Sequence, residues 1–415
     1  MISDSKKDTN NIKFEMNYKI SSQMSINVEN VYRIAERLAF PRLISSEGEK
    51  KAIEIIIDEF KKVGYTSIYQ DKFKTCFYNW IILRYVFLPI GFFLILIATS
   101  FYFNPFITLG LLFLNFFIAK KALGLAASNK IHLLKNEKKN YETKNIYVNL
   151  KNNNSKIKII FIAHWDSKSQ TFSPSVRILI FMVFVFGNII FNLIYLILSI
   201  IQIFIDFEIL LLNHILLIIC IVIAVIGGLN YFNKTDNNSP GAFDNSAAVG
   251  TIIELARYFK INSPNNIDFI FLCTSSEELN LGGAKHFIQK YKNDFDKETT
   301  YFINFDLIGG SELIRLVTSY GIPRKEVSKK LKDLFLNSAK ELNIKIKDIY
   351  LPTGAWADYM PIVQEGFKAA WIGSQPGLKY VHTKKDNMDL VSKEGITNAL
   401  LLSLSVIEKL NNDYL

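Results

Sequence analysis

Hydrophobic residues are concentrated in four long blocks, with the polar sequence lying before, between and after them. A helix needs about 20 apolar residues to cross a bilayer with a hydrocarbon core about 30 Å thick. Three blocks meet this length: 81–103, 178–205 and 209–229. The fourth, 105–119, crosses only if its helix continues past Lys120 and Lys121 with their side chains reaching the interface; otherwise it is a re-entrant or interfacial helix. We therefore predict four membrane helices.

The four blocks pair into two hairpins, because only short turns separate the two members of each pair. The turns are Asn104-Pro105 and Asp206-Phe207-Glu208. Two hairpins return the chain to its starting side, so all the long polar segments are expected on one face of the membrane. The flanks on that face contain Lys72, Lys74, Arg84, Lys120, Lys121, Lys130, Lys168, Arg177 and Lys234. The turns on the far face contain no Lys or Arg, and the positive-inside rule then predicts a cytoplasmic polar domain.

The polar remainder has the pattern of an α/β protein. Residues 47–64 form an amphipathic helix, with Ser45 or Ser46 as its N-cap and Gly64 at its end. Short apolar runs typical of buried strands are 144–151, 157–163, 267–273, 300–305 and 368–373. Helical patterns occupy 245–260, 282–292, 325–342 and 392–411. This alternation predicts a mixed, largely parallel sheet with helices on both faces, plus the two inserted transmembrane α-hairpins.

These patterns divide the chain into one discontinuous catalytic domain and two insertions. The N-terminal extension is 1–29, and it contains no apolar segment of the kind that a signal peptide needs. The predicted domain consists of 30–79, 128–176 and 235–415. The first hairpin occupies 80–127 and the second occupies 177–234.

Composition and charge narrow the possible partners. Half of the 415 residues are hydrophobic and 21% are charged, which fits apolar blocks within an otherwise polar chain. The net charge of +10 is spread along Lys-rich and Asn-rich segments, and no nucleic-acid-binding motif is present, so we expect a lipid bilayer and no nucleic acid as partner. The three cysteines, Cys76, Cys220 and Cys273, are scattered, which fits a reducing compartment.

Side chains that can bind a metal follow one predicted strand after another, at the carboxyl end where ligands collect in open α/β sheets. They are His164 and Asp166 after 157–163, Glu277 and Glu278 after 267–273, Asp306 after 300–305, His382 after 368–373, and Asp244 at the start of the helix at 245. Any one of them alone is more often a helix cap or a surface carboxylate. Together, two histidines and several carboxylates without a nearby cysteine suit a catalytic Zn²⁺ site.

In order, the segments "HWD", "GAFDN", "SSEE", "NFD" and "VHTKKDNMD" resemble the motifs of the M28 family of dinuclear zinc exopeptidases. The resemblance covers about 30–78, 128–170 and 235–412. The family includes co-catalytic aminopeptidases, carboxypeptidases that remove C-terminal glutamate, and single-zinc glutaminyl cyclases. The resemblance implies two zinc ions per chain, bridged by Asp244. His164 and Asp306 would complete one site, and Glu278 and His382 would complete the other.

The same resemblance implies roles for residues outside the metal ligands. Glu277 would be the general base toward a metal-bridging water, and Asp166 would orient His164 from the second shell. The segment "GAWADYM" resembles the region before the last ligand and places Asp358 at the family's supporting aspartate. Some members have a Tyr directly before the last His as an oxyanion donor. Here that position is Val381 and Tyr380 lies one residue earlier.

The predicted function is a membrane-embedded zinc exopeptidase that acts on peptide substrates. Among exopeptidases, an aminopeptidase is the favoured type. A different class is a non-catalytic membrane protein that keeps the fold for binding or assembly; within enzymes, a carboxypeptidase or a glutaminyl cyclase stays open. Because the second hairpin is inserted between His164 and Asp244, which must meet in space, we expect the active site near the membrane surface.

Overall fold

One mixed β-sheet organises the polar segments in the computed structural model of the protein, which describes residues 26–126, 128–205, 209–321, 323–351, 357–374 and 379–415. The predicted turn at 206–208, most of the N-terminal extension and the start of the "GAWADYM" segment lie outside the described residues. The strands are β1 (Tyr69–Thr75), β2 (Tyr141–Leu150), β3 (Ile157–His164), β4 (Ser169–Gln170), β5 (Thr235–Asp236), β6 (Ile267–Thr274), β7 (Thr300–Phe305), β8 (Ile314–Tyr320), β9 (Lys325–Glu326), β10 (Ile346–Leu351) and β11 (Lys368–Ser374).

The strand order β1-β2-β6-β3-β7-β11-β8-β10 places four parallel strands, β6, β3, β7 and β11, at the centre of the sheet. β2 and β8 run antiparallel to these central strands. β10 lies parallel to β8, and β9 pairs with β8. The predicted mixed, largely parallel sheet is confirmed. Because the central strands are parallel, their carboxyl ends lie at one edge of the sheet, where the candidate ligands follow.

The sequence patterns missed four strands of this sheet, β1, β8, β9 and β10, which lie toward its two sides; β9 falls within the predicted helix 325–342. In β1 exposed and buried positions alternate and most residues are polar, and no residue of β10 is buried. Edge strands lack the continuous apolar runs of strands covered on both faces. The hydrophobic pattern therefore identified the strands with long apolar runs. It missed β8, which is mostly buried, because polar residues interrupt its apolar run.

Helices cover both faces of the sheet, as predicted. The helices are α1 (Val28–Leu38), α2 (Glu47–Lys62), α3 (Tyr78–Ser100), α4 (Pro105–Ala126), α5 (Pro174–Phe204), α6 (Leu210–Gly228), α7 (Ala247–Ile261), α8 (Gly282–Tyr291), α9 (Lys329–Leu342), α10 (Tyr359–Gln364) and α11 (Lys393–Asp413). On one face α1, α2, α7, α9 and α11 pack around buried residues such as Phe161 and Phe269. On the other face α8 and α10 pack against Ile160 and Phe302. Ser46, one of the two predicted caps, accepts a hydrogen bond from the Glu49 amide at the start of α2.

Four helices in the described residues are long and apolar enough to cross a membrane: Tyr78–Ser100, Pro105–Ala122, Pro174–Phe204 and Leu210–Phe232. They pack together around a separate apolar cluster that includes Leu94, Phe184 and Cys220. Their outward faces are apolar as well, with Phe116 61% and Leu211 76% exposed. The shortest sequence block continues as a helix through Lys120 and Lys121, because α4 ends only at Ala126.

The two ends of the second hairpin are tied together beside the sheet edge. β4 leads into α5 and pairs antiparallel with β5, which follows α6, so that Ser169 faces Asp236 and Gln170 faces Thr235. The Gln170 amide also donates to the carbonyl oxygen of His382 at 3.0 Å. The base of this hairpin is therefore anchored to the loop that carries a candidate ligand.

Candidate metal centre

The predicted ligands converge at the carboxyl edge of the parallel strands. β3 and β6 are in a register that pairs His164 with Thr274, so His164 lies beside the loop that carries Glu277 and Glu278. Asp306 follows β7 directly, and Asp244 lies in an irregular turn before α7. His382 lies in the loop after β11. Five side chains that are far apart in the sequence therefore form one cluster because the strand ends share one edge.

These five side chains form two groups that share Asp244. In the first group, the His164 Nε2 atom lies 3.1 Å from Asp244 Oδ1 and 3.7 Å from Asp306 Oδ1. In the second group, the His382 Nε2 atom lies 3.2 Å from Asp244 Oδ2 and 3.0 Å from Glu278 Oε2. Within each group the possible ligand atoms all lie within 4.8 Å of one another. Asp244 thus directs one carboxylate oxygen into each group.

The chemistry of the donors fits zinc in both groups. Each contributes one imidazole nitrogen and two carboxylates, which is the ligand type and number of a catalytic zinc site that keeps a position for water or substrate. Contacts with the two histidines, acting against burial, hold the pKa of Asp244 well below its usual range. Burial acts to raise the pKa of Glu278, but the neighbouring His382 and Lys168 outweigh burial and lower this pKa to about 2. These two carboxylates are therefore ionised at neutral pH, as metal ligands must be.

Glu277 lies next to both groups and belongs to neither. Its Oε2 atom is 3.9 Å from His164 Nε2, and the residue is only 8% exposed. Burial, together with the neighbouring carboxylates, raises the pKa of Glu277 well above its ordinary value. A carboxylate that is not a ligand and has a raised pKa can accept a proton from water near neutral pH.

Asp166, the implied orienting partner of His164, contacts both that histidine and the glutamate pair. The main-chain oxygen of Asp166, at 3.1 Å, is the nearer partner of His164 Nδ1, and its carboxylate lies 3.7 Å from the same atom. The carboxylate accepts the backbone N–H groups of Glu277 and Glu278, both at 3.2 Å. Asp166 therefore orients His164 through its backbone and fixes the glutamate pair through its side chain. A protonated Nδ1 on His164 leaves Nε2 free to bind a metal.

The two supporting residues inferred from the family resemblance differ in their placement. Asp358 is buried at the start of α10, where its Oδ2 atom accepts a hydrogen bond from the Thr274 hydroxyl, and burial raises its pKa to about 7. The Tyr380 ring lies 4.7 Å from the Lys379 ammonium. Within the described ranges, no hydrogen bond joins the Tyr380 hydroxyl to a ligand side chain. Asp358 is thus in the wall of the site, whereas Tyr380 has no observed contact with it.

Arg42 holds two ligand-bearing loops together and was missed by the sequence patterns. The guanidinium group is fully buried and donates to the carbonyl oxygens of Trp165 and Gly241, next to His164 and near Asp244. It also donates to the carbonyl oxygens of Leu38, Phe40 and Pro240. A lone Arg after an amphipathic helix carries no local signal, because its partners are backbone atoms of distant loops.

Asp386 fixes the turn that carries Asp244. Its carboxylate accepts the backbone N–H groups of Phe243 at 2.8 Å and Asp244 at 3.3 Å. Burial, reinforced by the charge of Asp244, raises the pKa of Asp386 to about 7. Asp386 lies inside the "VHTKKDNMD" segment. The sequence identified this segment as a motif but did not indicate that Asp386 binds the turn before α7.

Replacing Arg42 by lysine is expected to weaken zinc binding by about 10-fold to 100-fold, which is typical for loss of a group that orients metal ligands. Lysine keeps the charge but cannot reach five carbonyl oxygens with one ammonium group. Calorimetric titration of zinc into the metal-free protein measures the effect. Arg33→Lys is the matched control, because Arg33 is 44% exposed and pairs with Glu59 away from the site. Equal affinities in the two variants would contradict the assigned role.

Two cations that the sequence patterns assigned to the membrane flank lie in the site. The Lys168 ammonium group is 2.9 Å from Glu278 Oε2, and the Arg177 Nη2 atom is 2.9 Å from His382 Nδ1. Trp80, in the first turn of α3, donates from its indole nitrogen to the Glu278 carbonyl oxygen at 2.8 Å. The first turns of α3 and α5 therefore contact candidate ligands of the second group. Seven of the nine basic flank residues remain as support for the positive-inside rule.

Comparison with known proteins adds to this geometry. Residues 228–407 match the model of Peptidase family M28. This range contains Asp244, Glu277, Glu278, Asp306 and His382 and leaves His164 outside. A vacuolar membrane protease of Candida glabrata is 27% identical over 43% of this chain and 18% of its own length. Aminopeptidase YwaD of Bacillus subtilis is 26% identical over 39% of this chain and 36% of its own length. The chain thus matches well under half the length of either relative.

A solved structure shares the fold over nearly the whole chain. A zinc aminopeptidase from Bacillus subtilis superimposes with a TM-score of 0.53, covering 93% of this chain and 96% of that one at 13% identity. At an identity this low, the similarity shows only that the two proteins share a fold. Residues 228–407 are therefore similar to M28-family peptidases, and the chain shares the fold of this zinc aminopeptidase.

Proposed function

We propose that the protein is a membrane-embedded zinc exopeptidase that hydrolyses terminal peptide bonds. The favoured activity is that of an aminopeptidase. The observation that carries the proposal is the pair of three-residue groups sharing Asp244, with the unliganded Glu277 beside them. One shared carboxylate between two complete donor sets favours two zinc ions per chain. A single-zinc enzyme such as a glutaminyl cyclase needs only one of the two groups.

The residues divide the work of hydrolysis. His164, Asp244 and Asp306 would hold one zinc ion, and Asp244, Glu278 and His382 the other. When bound, the zinc ions supply Lewis acidity and a water that ionises near neutral pH. Glu277 takes the proton of the attacking water and gives it to the leaving amine, which its buried position and raised pKa support.

Supporting residues would hold this arrangement in place. Asp166 fixes both glutamates through their backbone N–H groups, and Asp358 forms part of the wall behind His164. Tyr380 would serve as oxyanion donor only if its hydroxyl turned toward the second group. Preorganised groups of this kind lower the barrier without reorganising during the reaction.

The proposed membrane arrangement has four spanning helices and one catalytic domain on the cytoplasmic face. The segments 80–127 and 177–234 form the two membrane hairpins; 30–79, 128–176 and 235–415 form the domain, after the extension 1–29. The apolar outward faces of the helices support embedding in a bilayer. Contacts of Trp80 and Arg177 with ligand residues support an active site near the membrane surface.

Removing the metal is expected to abolish hydrolysis, because no residue of the site can activate water as strongly as a bound zinc ion. The purified protein is treated with a chelator and assayed on aminoacyl substrates before and after zinc is restored. Metal analysis should find about two zinc ions per chain. Full activity in a chelated, metal-free sample would contradict the proposal, and a protein that binds no zinc and cleaves nothing would favour a binding or assembly role.

A substrate panel separates the remaining enzymes of this fold. Cleavage of dipeptides with a free amine, and not of their N-blocked forms, identifies an aminopeptidase. Cleavage of N-blocked dipeptides identifies a carboxypeptidase. Release of ammonia and formation of a ring from a peptide with N-terminal Gln identifies a glutaminyl cyclase.

A further inference from the structure

Arg177 is a cation at the candidate metal centre that has no acidic partner among the residues that the structure describes. It lies in the first turn of α5, and its guanidinium contacts the imidazole of the ligand His382 at 2.9 Å. Among the described residues no carboxylate oxygen lies within 4.0 Å of it, and its buried Nε atom has no hydrogen-bond acceptor. A buried guanidinium normally forms two parallel hydrogen bonds with a carboxylate or phosphate.

The neighbouring cation Lys168 is already satisfied. Its ammonium group, 4% exposed, lies 2.9 Å from both the carboxylate and the carbonyl oxygen of Glu278. It also lies 4.1 Å from the centre of the Trp80 ring, which packs against Arg177 as well, at 5.7 Å. Glu278 thus compensates Lys168, and Arg177 is the cation at this end of the site that has donors to spare.

The hydrogen bond between Arg177 and His382 would have to break if that histidine bound a metal through Nε2. A guanidinium has only donors, so His382 Nδ1 must accept, and the ring proton is then on Nε2. Binding a metal through Nε2 requires a lone pair there and places the proton on Nδ1. Arg177 must then give up this hydrogen bond and needs another acceptor in the same place.

We propose that Arg177 binds the α-carboxylate of a dipeptide substrate, so that the enzyme prefers dipeptides with a free C-terminus. This inference rests on the proposed function and names its substrate class. Successive Cα atoms are about 3.8 Å apart, so the carboxylate of a dipeptide would follow the cleaved bond by one residue, and Arg177 contacts a side chain of the proposed metal centre. An acidic side chain on that residue offers the same chemistry from a second source.

The test compares Leu-Gly, Leu-Gly-amide and Leu-Asp-amide as substrates of the zinc-loaded full chain. For the wild-type protein we expect kcat/KM for Leu-Gly to exceed that for Leu-Gly-amide by about tenfold or more, mainly through KM, because a desolvated charged hydrogen bond is lost with the amide. Arg177→Gln should remove this preference, and Arg177→Lys should restore part of it. If Leu-Asp-amide and not Leu-Gly is preferred, the carboxylate comes from a side chain, and the dipeptide assignment is wrong.

Arg84→Gln is the matched control, since Arg84 lies in the same helix as Trp80 and donates to the Tyr231 carbonyl oxygen outside the site. It should keep the preference for Leu-Gly. Thermal unfolding of each variant shows whether a lost preference comes from a lost fold. A wild-type protein that cleaves neither substrate contradicts the proposed function, whereas equal cleavage of both contradicts only the role of Arg177.

A binding measurement without turnover completes the test. In zinc-loaded Glu277→Gln, calorimetry should show Leu-Gly binding about tenfold more tightly than Leu-Gly-amide. Adding Arg177→Gln should equalise the two affinities. Unchanged selectivity together with weaker binding to anionic phospholipid vesicles would instead assign Arg177 to lipid headgroups and overturn the proposal.

Discussion

Glu277→Gln is expected to lower kcat about 10²-fold to 10⁴-fold while two zinc ions per chain remain bound. Glutamine has nearly the same shape as glutamate but cannot take a proton from water. Glu277 lies beside His164 and in neither ligand group, so neither zinc site loses a donor. The backbone hydrogen bond from Glu277 to Asp166 is also unaffected by the substitution.

The measurement is steady-state hydrolysis of a free-amine dipeptide, combined with metal analysis of the same sample. Glu142→Gln is the control, because Glu142 is a surface residue of β2 that pairs with Lys72. Normal turnover in Glu277→Gln would exclude Glu277 as the proton acceptor. Loss of zinc together with turnover would instead make Glu277 a ligand.

Asp244→Asn is expected to lose zinc from both sites and to remove measurable hydrolysis. The asparagine side chain has one oxygen where aspartate has two. Its amide nitrogen cannot bind the zinc ion of the other group. The substitution also removes the negative charge that lies 3.1 Å from His164 and 3.2 Å from His382. Zinc is bound by deprotonated donors, and Asp244 is the donor that both groups share. One changed residue therefore weakens two sites.

Single-site variants provide the comparison for Asp244→Asn. His164→Gln and His382→Gln each remove a donor from one group only, so each should lose about one zinc ion per chain. Asp236→Asn, in the exposed strand β5, is the surface control and should keep both. A content of two zinc ions in Asp244→Asn, with normal turnover, would contradict a shared bridging carboxylate.

Several candidate metal ligands were predictable from sequence because they lie at or just after the end of a strand with a strong apolar signal. The segment 157–163 predicted β3 and therefore the position of His164, and 300–305 predicted β7 and Asp306. Parallel strands bring their carboxyl ends to one edge, so local patterns were enough to infer a common site. His382 was also predicted from its place after the strand 368–373, although it lies in a loop eight residues beyond the end of β11.

Residues that hold the ligand loops were not predictable in the same way. Arg42 and Asp386 act on backbone atoms, and any sequence offers a backbone carbonyl or N–H at every position. Lys168 and Arg177 were assigned to the membrane flank because they lie next to an apolar block, which is also where flank charges occur. Their contacts with Glu278 and His382 depend on how the second hairpin leaves the domain.

The sequence by itself determined the fold class, the four apolar helices and the set of candidate metal ligands. Hydrophobic periodicity and strand-end position are local properties, and local properties can be read along a chain. Only the tertiary structure decided that Asp244 faces two histidines, that Asp166 holds the glutamate pair, and that an arginine from the second hairpin reaches His382. Each of these depends on side-chain direction between segments far apart in the chain, which packing and loop geometry set.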